Sequence, residues 1–135
     1  MKYVLDTNVV SALMIGDSRV VTRLEGVARS DVGVPQPVLA EIAYGIERLP
    51  RSRRKDVLRG QFSLLRSELP RVEWSDRVTD VFGTIKAQLE TAGRRIEDLD
   101  VAVAAHALAN GATLVTANVR HMMRVAGLSV ENWSR

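Results

Sequence analysis

An α/β fold, with a central parallel sheet of four to five short strands and helices on its faces, is what the sequence predicts. Two observations carry that prediction. Short apolar runs bounded by turn residues alternate with longer segments of helical period, in the order β-α-α-β-α-α-β-α-α-β-α-β. No linker, repeat or low-complexity stretch interrupts the 135 residues, so residues 1–135 read as a single domain.

Residues 2–5 form the first strand, and Val9, Val10, Leu13 and Met14 mark a helix over 8–15. Asp17 and Ser18 cap a second helix over 18–28, with Val20, Val21, Leu24 and Val27 on its apolar face. Val32-Gly33-Val34 is a strand. Pro35 and Pro37 then start a helix that runs through Leu39, Ile42, Ala43 and Ile46 to Leu49, where Pro50 stops it. A basic helix over 52–68 has Val57, Leu58, Phe62, Leu64 and Leu65 as its apolar members.

Residues 71–74 form a strand, Ser75 or Asp76 caps a helix to about 92, and Gly93 closes it. A small-residue helix over 99–110 ends at Gly111. It is followed by a strand over 113–116, a short helix at 119–124 and a last strand at 128–131. A parallel sheet of this kind binds ligands in the crevice beyond its strand carboxyl ends.

Composition narrows the chemistry. The chain has no cysteine, which excludes disulfides, thiolate metal sites and a Cys nucleophile. No apolar run reaches the roughly 20 residues that span a bilayer, and an acid at position 6 interrupts any signal-peptide core. A cytoplasmic protein without membrane contact is expected. The basic residues are 16 Arg against 3 Lys. Guanidinium pairs with phosphate in bidentate geometry, which suits a nucleic acid, although a G+C-rich genome inflates Arg equally well.

Carboxylates stand where the strands end. Asp6 follows the first strand, Glu41 interrupts the apolar face of the helix after the second, and Asp100 opens the small-residue helix. Asn118 follows the fourth strand. Taken singly, Asp6 is either a helix cap or a metal anchor, Glu41 an exposed helix residue, Asp100 a first-turn dipole residue and Asn118 a turn residue. Taken together they fit an all-oxygen site for a hard cation, which can polarise a phosphodiester.

Four segments in order carry a family resemblance. They are Leu5-Asp6-Thr7-Asn8-Val9-Val10-Ser11, Pro37-Val38-Leu39-Ala40-Glu41-Ile42-Ala43-Tyr44-Gly45, the run from Ile96 to Asn118, and the closing Gly127 to Trp133. The chain resembles PIN-domain ribonucleases, specifically VapC-type toxins of bacterial toxin–antitoxin pairs, over its whole length. The resemblance implies a PIN-like three-layer α/β/α domain and a Mg²⁺-dependent endoribonuclease, Mn²⁺ being an alternative ion. It implies an RNA substrate cleaved by metal-activated water, and a cognate antitoxin.

It makes Asp6, Glu41 and Asp100 the metal-binding, catalytic acids, with Thr7, Asn8, Thr116 and Asn118 in support. Asp100 is preferred to Asp98, because the acid stands three residues before the aliphatic of Val103-Ala104-Ala105; Asp98 is then a cap or a neighbouring acid. One departure stands out. Many relatives carry an acid after the fourth strand, where this chain has Asn118 and then His121, so one-metal chemistry becomes more plausible. His121 is a candidate for substrate contact or proton transfer, whereas His106 is structural.

The run Arg48 to Lys55, with Arg51, Arg53, Arg54 and Lys55 at its centre and Arg59 and Arg66 beyond, is a basic rim for RNA phosphates or an antitoxin, or else a solvated helix face. Apolar helices over 18–28 and 35–49 suggest a homodimer. Two rivals remain: a catalytically idle RNA- or protein-binding module, and an aspartyl-phosphate receiver. The receiver would show paired acids near the first strand, whereas Asp6 stands alone.

Overall fold

The structure is a computed structural model that describes residues 1–135. Its elements are β1 (Tyr3–Leu5), α1 (Thr7–Met14), α2 (Ser18–Glu25), β2 (Val32–Pro35), α3 (Gln36–Glu47) and α4 (Arg53–Glu68). They continue with β3 (Arg71–Val72), α5 (Asp76–Thr91), α6 (Asp98–Ala109), β4 (Thr113–Val115), α7 (Val119–Met122) and β5 (Val130–Glu131). A 3-10 turn at Arg29–Asp31 leads into β2. The five strands make one parallel sheet in the order β3-β2-β1-β4-β5, with helices on both faces in a three-layer α/β/α arrangement. No helix is long and apolar enough to cross a membrane.

Local chemistry sets most boundaries. Asp6, Asp17, Ser52 and Ser75 each cap a helix through a side-chain oxygen that accepts a backbone N–H. Pro37 sits in the first turn of α3, where no intrahelical N–H is required. Gly33 marks a close approach, since a Cβ there would lie 2.5 Å from both Val72 Cγ2 and Met1 Sδ.

The core is one cluster around β1, β2 and β4, including Val4, Leu5, Val32, Val34, Leu114 and Val115. From Val101 to Ala107, α6 is buried on every side, because its small residues let neighbours approach its whole circumference. Trp133 closes the C-terminus, 1% exposed, with its ring edge against Tyr3 and the Arg23 guanidinium over its face.

Several expectations need correction. β3 stops at Val72, not 74, because its partner Pro35 is the last residue of β2; Trp74 is left 47% exposed. β5 begins at 130 rather than 128. Ala43, expected on the apolar face of α3, faces solvent; on α4, Val57 and Leu64 are exposed and only Phe62 is buried. α6 begins at Asp98 with Glu97 as its N-cap, so Asp98 is not the cap.

Leu114 is fully buried in a central strand. Leu114→Ala is therefore expected to cost about 2–5 kcal/mol of unfolding free energy. Urea denaturation of parent and variant checks this through the shift in midpoint at constant slope.

Candidate functional site

The chain leaves β1 to one side, toward β2, and later returns to β4 on the other. The strand order thus switches at β1, and the crevice beyond the carboxyl ends of β1 and β4 is where an open parallel sheet places ligands. Asp6 sits at that point. Its backbone N–H donates to the Val115 carbonyl at 3.0 Å, and its own carbonyl accepts from Val9 and Val10, so β4, β1 and α1 all grip it.

The Asp6 side chain is held as firmly as its backbone. Oδ1 accepts the Thr7 N–H at 2.8 Å, and Oδ2 accepts the Thr116 hydroxyl at 2.8 Å and the Asn8 amide at 3.5 Å. Thr116 Oγ1 in turn accepts from Asn8 Nδ2 at 3.2 Å and from the Asn118 N–H at 2.9 Å. With both lone pairs occupied, its single proton is directed at Asp6. Asn8 Oδ1 accepts the Ala117 N–H at 2.9 Å and closes the network onto the turn after β4.

Glu41 reaches the same place from the second turn of α3, where the Thr7 hydroxyl donates to its Oε1 at 2.9 Å. Asp100 arrives in the first turn of α6. A cleft of about 580 Å³ opens over these groups, lined by Glu41, Arg95, Ile96, Glu97, Asp100, Asn118, His121 and Arg124. Asp6, 3% exposed, is not among the lining residues but is tied to Glu41 through Thr7. On the cleft wall the Asn118 amide lies 3.0 Å from His121 Nδ1. An amide nitrogen can only donate, so Nδ1 accepts and the imidazole proton sits on Nε2.

The electrostatics are those of carboxylates crowded together. Burial raises the Asp6 pKa above the usual range, against the hydrogen bonds from Thr116, Thr7 and Asn8. Asp100 is pushed up to about 6, first by burial and then by the charges of Asp6, Glu41 and Glu97, with His121 opposing. No three acidic or histidine side chains are drawn close enough to form a ready metal cage. The all-oxygen donor set fits a hydrated hard cation that takes one or two carboxylates and keeps its waters.

Other candidates fall elsewhere. Asp98 is exposed and pairs with Lys86 at 3.1 Å, away from the cleft lining. Arg51, Arg53, Arg54 and Lys55 do not line the cleft either; Lys55 Nζ instead donates to the Glu47 and Leu49 carbonyls at the end of α3. His106 is fully buried, with Nδ1 donating to the Ala102 carbonyl at 2.7 Å and Nε2 without a partner. Burial holds its pKa below the ordinary value. Sequence reasoning missed Arg95 and Arg124; the one available signal was the position of Arg94-Arg95 just before the acids at 97–100.

The PIN domain family pattern matches residues 3–128. The chain belongs to the PIN-domain family. It is similar to the ribonuclease VapC2 of Rickettsia felis, 32% identical over 137 residues with 100% of both chains covered. It is also similar to the tRNA(fMet)-specific endonuclease VapC of Shigella flexneri, 27% identical over 134 residues and 99% of both chains. Among solved structures, that of VapBC2 from Rickettsia felis bound to a promoter DNA fragment matches with a TM-score of 0.87. Its identity to this chain is 29%, covering 98% of this chain and 99% of the other. This PIN-domain chain is thus of the VapC type.

The raised Asp100 pKa has a defined consequence for stability. The unfolded acid loses its proton near 3.8 and the folded one near 6, so stability falls as pH rises through that window. The penalty is complete above the upper value. Asp100→Asn is therefore expected to melt at higher temperature than the parent at neutral pH in EDTA. The difference should shrink below pH about 6 and vanish below about 4. Scanning calorimetry across that range is the check.

Proposed function

We propose that this PIN-domain protein is a Mg²⁺-dependent endoribonuclease toxin, Mn²⁺ being an alternative ion, neutralised by a cognate antitoxin. One observation carries the reading: Thr7 bridges Asp6 and Glu41, and Glu41 and Asp100 line one cleft. Such a site is relieved by a divalent cation. The names of the Rickettsia and Shigella relatives, a ribonuclease and a tRNA(fMet)-specific endonuclease, support RNA as the substrate.

Asp6 and Asp100, with Glu41 facing them, would hold the ion. When bound, it would polarise a phosphodiester and activate a water for in-line attack. The chain's own residues prepare the site. Thr116 and Asn8 fix the Asp6 carboxylate, Thr7 aims Glu41, and Asn118 offers an amide oxygen without adding charge, which favours a single ion. His121 lines the cleft as a substrate contact or proton donor through Nε2–H.

The antitoxin and a second copy would use other faces. An apolar groove of about 360 Å³ between α1, α2 and α4, with Leu13, Met14, Val21, Leu24, Leu64 and Leu65 among its walls, suits an antitoxin segment. The solved VapBC2 complex supports such a partner. Exposed Arg51, Arg53 and Arg54 could meet acidic residues of that segment, while Ala43 and Tyr44, which is 68% exposed, leave α3 an outer face for a homodimer. With no spanning helix, a cytoplasmic site of action is part of the proposal.

Asp6→Asn preserves the cap, because Asn caps helices as well as Asp does. It is expected to reduce Mg²⁺-dependent RNA cleavage by more than about 100-fold with an unchanged circular dichroism spectrum. Mg²⁺ should raise the melting temperature of the parent and not of the variant. Initiator tRNA is the first substrate to try. Cleavage that persists in EDTA or survives Asp6→Asn would sink the proposal; an idle binding module would bind RNA and cleave nothing.

A further inference from the structure

We infer that Arg95 and Arg124 form a phosphate-binding wall of the acid cleft and hold a backbone phosphate of the RNA strand next to the scissile one. This rests on the endonuclease reading above. A strand entering the cleft meets Glu41, Glu97 and Asp100, and only Arg95, Arg124 and His121 among the lining residues can offset that repulsion. A cation at the carboxylates serves the scissile phosphate, so a neighbouring phosphate requires fixed positive charge.

The two guanidinium groups are free to provide it. Arg95 lies in the turn between α5 and α6 with its side chain 74% exposed. Its one acidic neighbour, Glu90, is 3.9 Å away, beyond hydrogen-bond distance, so its forked donors remain available. Arg124 follows α7 and spends Nη1 on the Arg95 carbonyl at 3.0 Å. That bond ties the two walls together and leaves its other N–H groups unassigned. The denser basic run at Arg51, Arg53, Arg54 and Lys55 lies outside the cleft lining.

The test is fluorescence anisotropy of a short labelled single-stranded RNA, titrated in EDTA over a range of KCl, with parent, Arg95→Ala, Arg124→Ala and the double variant Arg53→Ala/Arg54→Ala. Each cleft substitution should weaken binding about tenfold and lower the slope of log affinity against log salt by about 0.7. The Mg²⁺-induced melting shift should stay at the parent value. If Arg124→Ala does not fold, Arg95→Ala alone decides, since its side chain makes no hydrogen bond.

An unchanged slope in the cleft variants, or a larger loss in Arg53→Ala/Arg54→Ala, overturns the assignment. A parallel cleavage assay of the parent in Mg²⁺ separates the two readings. If the parent cleaves while the slopes stay unchanged, only the arginine assignment fails. If the parent cleaves nothing while the slopes fall, the arginines still bind RNA and the nuclease reading fails.

Discussion

A carboxylate that is 3% exposed is held at the junction of β1, α1 and β4, and the rest of the site follows from that constraint. An unpaired buried charge costs several kcal/mol, whereas a hydrogen bond to a charged group returns about 1.5–3 kcal/mol. Asp6 receives such bonds from Thr7, Thr116 and, at longer range, Asn8. They do not fully offset burial, because the Asp6 pKa remains raised. A divalent cation bound at Asp6 would oppose the effect of that burial. Capping and metal anchoring are not alternatives for Asp6: Oδ1 caps α1, while Oδ2 is held by β4 through Thr116.

The same constraint links fold to function. Thr116 and Asn8 staple the end of β4 to the start of α1, so the carboxylate network also fixes the neighbouring parallel strands. Thr7 extends the network to α3 through Glu41. α6 delivers Asp100 because its Ala-rich body is buried all round and its N-terminus ends at the crevice. Each acid is carried by a different element, and only the strand order brings them together.

Element identity was legible in the sequence because caps, prolines and apolar periods agree with one another; strand order was not, since no local pattern encodes which strands become neighbours. Periodicity failed where a helix has a shallow buried face. On α4, Val57 and Leu64 stand roughly 140° and 160° round the helix from Phe62 and stay exposed, whereas Ala43 on α3 shares the period of Leu39 and Ile46 yet faces solvent. Trp74 looked like strand because aromatic residues favour strands, but Pro35 ends its partner strand. Asp6, Glu41, Asp100 and Asn118 could be singled out because they follow a strand, interrupt an apolar face or open a helix, whereas the roles of Thr7, Asn8 and Thr116 came with the family resemblance. Arg124 could not, since it follows a four-residue helix with no period to mark it, and Arg95 had only its place just before the acids at 97–100. The clustered arginines from 51 to 54 drew attention by density in the chain, which does not report position in space.

The proposed nuclease depends on Asp6 anchoring a divalent cation shared with Asp100 and Glu41. Crystals grown without metal and soaked in Mn²⁺ test it most directly, through the anomalous difference map. The expected result is a peak in the cleft within coordination distance of Asp6 and Asp100, with Glu41 in direct contact or reaching the ion through water. A peak elsewhere, or none with Asp6 still bound to Thr116 and Thr7, would contradict it.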